Sequence, residues 1–280
     1  MRKNTAILCL CLAGLLLTVC NQGDKKVSLR YKFTPGLKLY YLESAKTNER
    51  IIENGTITGS TGYTVDYDIT IECVGIVDDT VLEVSQLARA DSATFVTPDS
   101  TWTMAVNFAR TTTGRTLTNG KLLNINLDDA VPEHRRAYMQ AWNQQGTAVF
   151  PSGERPVGYS WTQTTTVVLP DETMETSTTY TITALVRESG YDCAVVEYEG
   201  LLILPVQPKE DDPEQRRGSD RVEGSGKIYF AYEPGFVVRQ TEKRRIQGDR
   251  KRNVDGDTVS YRVEQDYSVV FQLQRKEGGS

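Results

Sequence analysis

The feature that most constrains this chain is strict alternation, carried on for longer than an ordinary strand needs. Tyr261, Val263, Tyr267, Val269, Phe271 and Leu273 fall on one face, and Arg262, Glu264, Asp266, Ser268, Gln272 and Gln274 on the other. At about 3.3 Å per residue, 261–273 would run roughly 40 Å, about twice the usual strand. The same period of two recurs at Val27, Leu29, Tyr31 and Phe33, and again at Val65, Tyr67, Ile69, Ile71 and Cys73. One dry face and one wet face mean antiparallel pairing. Strands this long twist and coil, so the expected fold is mainly β. It would be a strongly curved sheet or half-barrel of long antiparallel strands, the alternative being two packed β-sandwich-like halves.

Turn chemistry agrees. Asn54-Gly55, Asn119-Gly120 and Asp255-Gly256 each separate two strand-like runs, and the spacing predicts type I′ hairpins there. Thr and Tyr crowd 159–169 and 175–187, as pleated surfaces favour. One segment breaks the pattern. Asp128 or Asp129 can cap, Pro132 suits a first turn, Glu133 complements the dipole, and Val131, Tyr138 and Trp142 fall near one side. A single amphipathic helix is expected over about 128–145. After Leu204 the chain turns rich in Pro and charge, and 205–220 reads as a solvated loop. Phe33-Thr34-Pro35-Gly36 is echoed by Tyr232-Glu233-Pro234-Gly235, so the region 27–280, a single large domain, is open to division into two repeated halves, 27–127 and 147–280.

The N-terminus reads as an address. Arg2 and Lys3 precede an uncharged apolar stretch from Ala6 to Val19, too short to span a bilayer but suited to a signal peptide. Leu17-Thr18-Val19-Cys20 resembles a bacterial lipobox, with Val19 where that pattern has a small residue. The expected organisation is a signal peptide over 1–19, then acylated Cys20 and a polar tether to residue 26. Acyl chains would hold the domain on a membrane. Of five cysteines, Cys9 and Cys11 leave with the signal. Cys73 and Cys193 remain, either joined in one disulfide or as two separate buried thiols.

Catalytic and metal chemistry lack their usual parts. The chain has one histidine, His134, which excludes multi-histidine metal sites. There is no G-x-S-x-G elbow, S-x-x-K or H-E-x-x-H, so no catalytic residue, cofactor or metal site is assigned. Asn253, Asp255 and Asp257 read as a hairpin, and Asp66 and Asp68 as a solvated strand face. A net charge of −5 argues against a nucleic-acid partner. Lys243-Arg244-Arg245 and Arg250-Lys251-Arg252 are read as basic clusters near a hairpin tip.

Several local patterns together cover most of 27–235. They are Leu29-Arg30-Tyr31-Lys32-Phe33 with Pro35-Gly36, Asn119-Gly120-Lys121, Phe150-Pro151, Pro156-Val157-Gly158 with Trp161, Tyr180-Thr181-Ile182, and Gly190-Tyr191-Asp192-Cys193-Ala194. In these the chain resembles a family of uncharacterised β-rich bacterial envelope lipoproteins, built on a domain of unknown function. The resemblance implies an envelope lipoprotein and brings no activity with it. At the level of architecture the long strands also resemble the lipoprotein-carrier half-barrels. The resulting expectation is a non-enzymatic lipoprotein of the bacterial envelope, anchored at the outer membrane, binding an apolar or amphipathic ligand in its curved sheet. The alternative is an interaction protein that docks an envelope partner through a sheet edge or the 205–220 loop.

Overall fold

The computed structural model describes residues 25–127, 147–168, 173–205, 219–254 and 257–279. The expected helix at 128–145, His134, Cys20, the 206–218 part of the expected loop and the Asp255-Gly256 turn lie outside these residues. Alternation produces strands wherever it is sustained. β2 spans Lys38–Glu53, β3 Thr56–Asp78, β4 Val81–Val96, β5 Thr101–Leu117 and β6 Leu122–Leu127. After the short β7, Glu154–Pro156, come β8 Ser160–Val168, β9 Thr173–Glu188, β10 Tyr191–Pro205, β11 Ser219–Ala231, β12 Phe236–Val254 and β13 Asp257–Glu277. Eleven of these form one antiparallel sheet in the order β6-β5-β4-β3-β2-β13-β12-β11-β10-β9-β8. The mainly-β, long-stranded expectation therefore holds. Two packed sandwich halves do not occur, because β13 pairs with β2 along fifteen residue pairs and makes the halves one sheet.

The sheet is open, yet it curls. Residues 29–34 form an extended arm, ending in a turn at Pro35-Gly36, rather than the strand that the alternation at Val27–Phe33 predicts; only β1, Lys26–Ser28, is a strand, and it pairs with β7. The amide of Tyr31 donates to Thr118 O in the β5–β6 turn (2.7 Å), and the next amide, Lys32, donates to Gly235 O in the β11–β12 turn (3.1 Å). Laid flat, those turns would stand six strand spacings apart, roughly 29 Å. Two bonds from neighbouring residues bring their carbonyls within about 10 Å. Segment 147–159 makes a second tie. Phe150 N donates to Asn119 O, Gly158 N to Ile182 O, and Trp161 Nε1 to Val149 O (2.8, 2.7 and 2.9 Å). Edge strands β6 and β8 thus flank one strap.

Arm and strap fill the curl. One buried cluster joins Val27, Leu29 and Phe150 to Ile182, Val196, Ile228 and Phe230. A second joins Phe33, Leu37 and Leu39 to Ile69, Cys73, Cys193 and Phe236, and Tyr31 and Phe271 pack against both. Glycine permits the close approach at Gly235, where φ is +72° and a Cβ would stand 2.5 Å from Lys32 N. The outer face carries exposed pairs such as Lys227–Glu197 at 2.7 Å and Arg262–Asp249 at 3.0 Å, which is the wet side that alternation requires.

Turn predictions fare unevenly. Asn54 and Gly55 both adopt positive φ (51° and 77°), as a type I′ hairpin demands, and so do Ser189 and Gly190 (48° and 87°), which their sequence did not single out. At Asn119-Gly120 only Gly120 is left-handed (93°), so that turn is not type I′; the Asn119 side chain instead accepts from Lys121 N. Cys73 and Cys193 are free, buried thiols in the second cluster, not a disulfide. Each sulfur points at a carbonyl of its own strand, Gly75 O and Tyr191 O. Burial pushes the Cys193 thiol up to about 11.

Candidate functional site

Residues paired directly across antiparallel strands project to the same face. Two consecutive rungs of the ladder therefore describe the inner face. The first runs Gln163, Thr178, Gly200, Gly224, Arg244, Tyr267, Thr47, Tyr63, Phe95 and Trp102 without a break. The second runs Trp161, Tyr180, Tyr198, Gly226, Glu242, Val269, Ala45, Val65, Ala93 and Met104. Ring contacts follow both: Phe95 stacks on Trp102 (5.6 Å), Tyr63 leans on Phe95 (6.0 Å), and Trp161 stacks on Tyr180 (5.2 Å).

The rungs are polar at their middle and apolar toward β5. At the middle Arg244 Nε donates to Glu242 at 2.5 Å, with both side chains largely buried, and the guanidinium lies over the Tyr267 ring at 5.6 Å. Gln240 donates to the Tyr198 hydroxyl at 3.4 Å. Glu43, on the same face, is held above the usual carboxylate range by burial, then by repulsion from Glu242, against the pull of Arg244. Burial likewise holds the hydroxyls of Tyr180, Tyr198 and Tyr267 well above the ordinary phenol range. Toward the β5 end Trp102, Met104 and Tyr63 are 43 %, 49 % and 38 % exposed, although they sit on the dry face.

Between the walls lies a cleft of about 80 Å³, lined by Thr178, Tyr180, Tyr198, Glu242, Arg244 and Ala148 among others. Its floor includes Gly200 and Gly224, paired side by side; a Cβ on Gly200 would meet Thr178 Oγ1 at 2.5 Å, whereas the space over Gly224 is open. The neighbouring glycine is different: a Cβ on Gly226 would strike the Tyr198 ring, which already covers it.

The basic clusters of the sequence are corrected here. Lys243, Arg244 and Arg245 lie mid-strand in β12, so pairing sends Arg244 inward and its neighbours outward. Arg250 also faces inward, paired with Asp220 at 2.5 Å. Sequence reasoning missed Glu43, Glu242 and Arg244 as inner residues. The available signal was their phase: Gln240, Glu242 and Arg244 share a period with Ile246. Asp66 and Asp68 are exposed, in keeping with a solvated face. Among the described residues no group of His, Cys, Asp or Glu is arranged to hold a metal ion, and no helix is long and apolar enough to cross a membrane.

No family model matches the chain, and no curated protein does. Among solved structures it is similar to lipovitellin, studied for its lipid–protein interactions, at 10 % identity and a TM-score of 0.46. That match covers 89 % of this chain and 26 % of the lipovitellin chain, so this chain spans about a quarter of that protein. A protein of Bacteroides fragilis NCTC 9343 with a YmcC-like fold matches over 90 % of this chain and 100 % of its own, at 13 % identity and a TM-score of 0.27. The hypothetical lipoprotein YmcC from Escherichia coli (K12) matches over 95 % and 98 %, at 11 % identity and a TM-score of 0.23.

Proposed function

We propose that this is a non-enzymatic lipoprotein of the bacterial envelope, tethered to the outer membrane through acylated Cys20, whose curled sheet holds an apolar or amphipathic ligand on its inner face. The observation that carries the reading is the apolar end of the two rungs. Trp102, Met104 and Tyr63 stay exposed on the face whose other half is packed core. Exposed aromatic surface continuous with a core is where an apolar ligand gains most from leaving water. Native mass spectrometry of the full chain, purified without detergent, is expected to show a bound lipid that is lost in Trp102→Ala with Met104→Ala. A ligand-free spectrum, together with no uptake of added long-chain amphiphile, would remove the reading. The anchor is tested separately: metabolic fatty-acid labelling should disappear in Cys20→Ser.

A second reading has its own observation. β6 pairs β5 only at Thr112–Thr116, so among the described residues Thr101–Thr111 has no strand on the edge facing away from β4, and Thr101–Ala109 carries no charge. Such an edge suits strand addition by an envelope protein partner. In-cell crosslinking from position 103 should trap one partner, and Ala105→Pro should abolish the product; no specific product would end this reading.

A further inference from the structure

Packing explains Gly200, whose Cβ would meet Thr178 Oγ1 at 2.5 Å, but it supplies no explanation for its neighbour Gly224. A glycine inside a strand is unfavourable, because it loses more backbone freedom on folding and packs no side chain. Gly226 has a steric reason, since Tyr198 lies over it. Gly224 has none: its φ is ordinary, and a Cβ there would meet only Arg244 Cγ at 3.8 Å and Lys243 O at 4.0 Å. It keeps open the space beside the Glu242–Arg244 pair.

That pair is the second unusual feature. An ion pair drawn onto a dry face is a weak contributor to stability, because desolvation offsets its attraction. Placed at the wall of an 80 Å³ cleft, it presents a negative and a positive group side by side, with the Tyr180 and Tyr198 rings opposite. A cation is favoured by carboxylate and by aromatic faces, and a phosphate by guanidinium. The volume holds several times the space of one water, enough for a head group of a few heavy atoms.

Resting on the ligand-binding reading above, we infer that the glycine-floored cleft is the head-group site for a zwitterionic, single-chain amphiphile, a lysophospholipid in chemical class. Its phosphate faces Arg244 and its ammonium faces Glu242 and the tyrosine rings, while its chain leaves along the rung through Tyr267 and Tyr63 toward Trp102. Measured along the sheet, the path from Gly224 to Trp102 is six strand spacings, roughly 29 Å of contour, which accommodates a long acyl chain that follows the curl.

The test titrates the full chain with three probes of one chain length: palmitoyl-lysophosphatidylethanolamine, palmitate and hexadecylamine, each below its critical micelle concentration. The lysophospholipid is expected to bind at least about tenfold more tightly than either singly charged probe. Gly224→Leu, which adds a strand-compatible side chain to the floor, should reduce lysophospholipid binding about tenfold while leaving the melting temperature unchanged or higher. The double variant Glu242→Gln, Arg244→Gln should bring the three probes to equal affinity. Equal affinities in the wild type, or no effect of Gly224→Leu, would overturn the inference and leave the ligand-binding reading standing. Failure of all three probes to bind would overturn both.

Discussion

Thr47 illustrates how a single side chain can report on the inner face. Its hydroxyl is buried on the rung between Tyr63 and Tyr267 and has no hydrogen-bond partner among the described residues. An orphaned hydroxyl costs about 1–3 kcal/mol, whereas valine of the same shape carries no such penalty. Thr47→Val is therefore expected to raise the unfolding free energy by about 1 kcal/mol in urea denaturation, and an unchanged or lowered midpoint would refute it. Glu43 gives a pH dependence. Its carboxyl is raised in the folded state, so the native protein holds that proton more tightly than the unfolded chain does. Stability from this residue is present at low pH and is lost as pH rises through the raised value. Glu43→Gln should accordingly melt higher than wild type at pH 7, and the difference should shrink to nothing below about pH 4. Neither residue stood out in the sequence. A polar residue in phase with apolar ones looks like noise until the partner strands on either side are known.

At the scale of the element, the glycines of β10 and β11 separate two kinds of requirement. Gly226→Ala forces the Tyr198 ring and the β12 backbone apart and is expected to lower stability by about 1–3 kcal/mol, as overpacking does. Gly224→Ala meets no such obstacle and should be neutral or stabilising by up to about 1 kcal/mol. Thermal melts of the two variants side by side decide the matter; equal losses would show that the floor is packed rather than open. The strands themselves were legible, because period-two patterning is a local property that survives any arrangement of neighbours. β8 and β9 fell where Thr and Tyr density placed them. The arm was misread for an instructive reason: beyond β1, Leu29 and Phe33 are buried against side chains across the curl rather than beside a ladder partner. Alternation reports a one-sided environment and is silent about what makes the hydrogen bonds.

For the whole molecule, the decisive quantity is the curl that the arm and strap impose on an open sheet. Tyr31 sits at its centre, touching Phe33, Phe150 and Phe230 with ring centroids 5.5, 5.8 and 5.3 Å away. Because it packs against both buried clusters, the two should lose structure together. A single cooperative transition is expected, and Tyr31→Ala should lower stability by about 3–5 kcal/mol or split the transition in two. A small, smooth shift with cooperativity intact would mean that the clusters are held together elsewhere. No part of this was readable from one strand at a time, since the strap and arm act across the sheet.

The strand order has a temporal side as well. Among the described strands β13 comes after every other in the chain, yet its place is in the middle, where Arg50 meets Glu264 across 214 residues. A ribosome therefore delivers this keystone after the strands that flank it. Until it arrives, β2 and β12 each present a bare flank that nothing native can cover. Pairing across so long a separation is intrinsically slow, so the sheet is expected to close only after the β13 segment has been made.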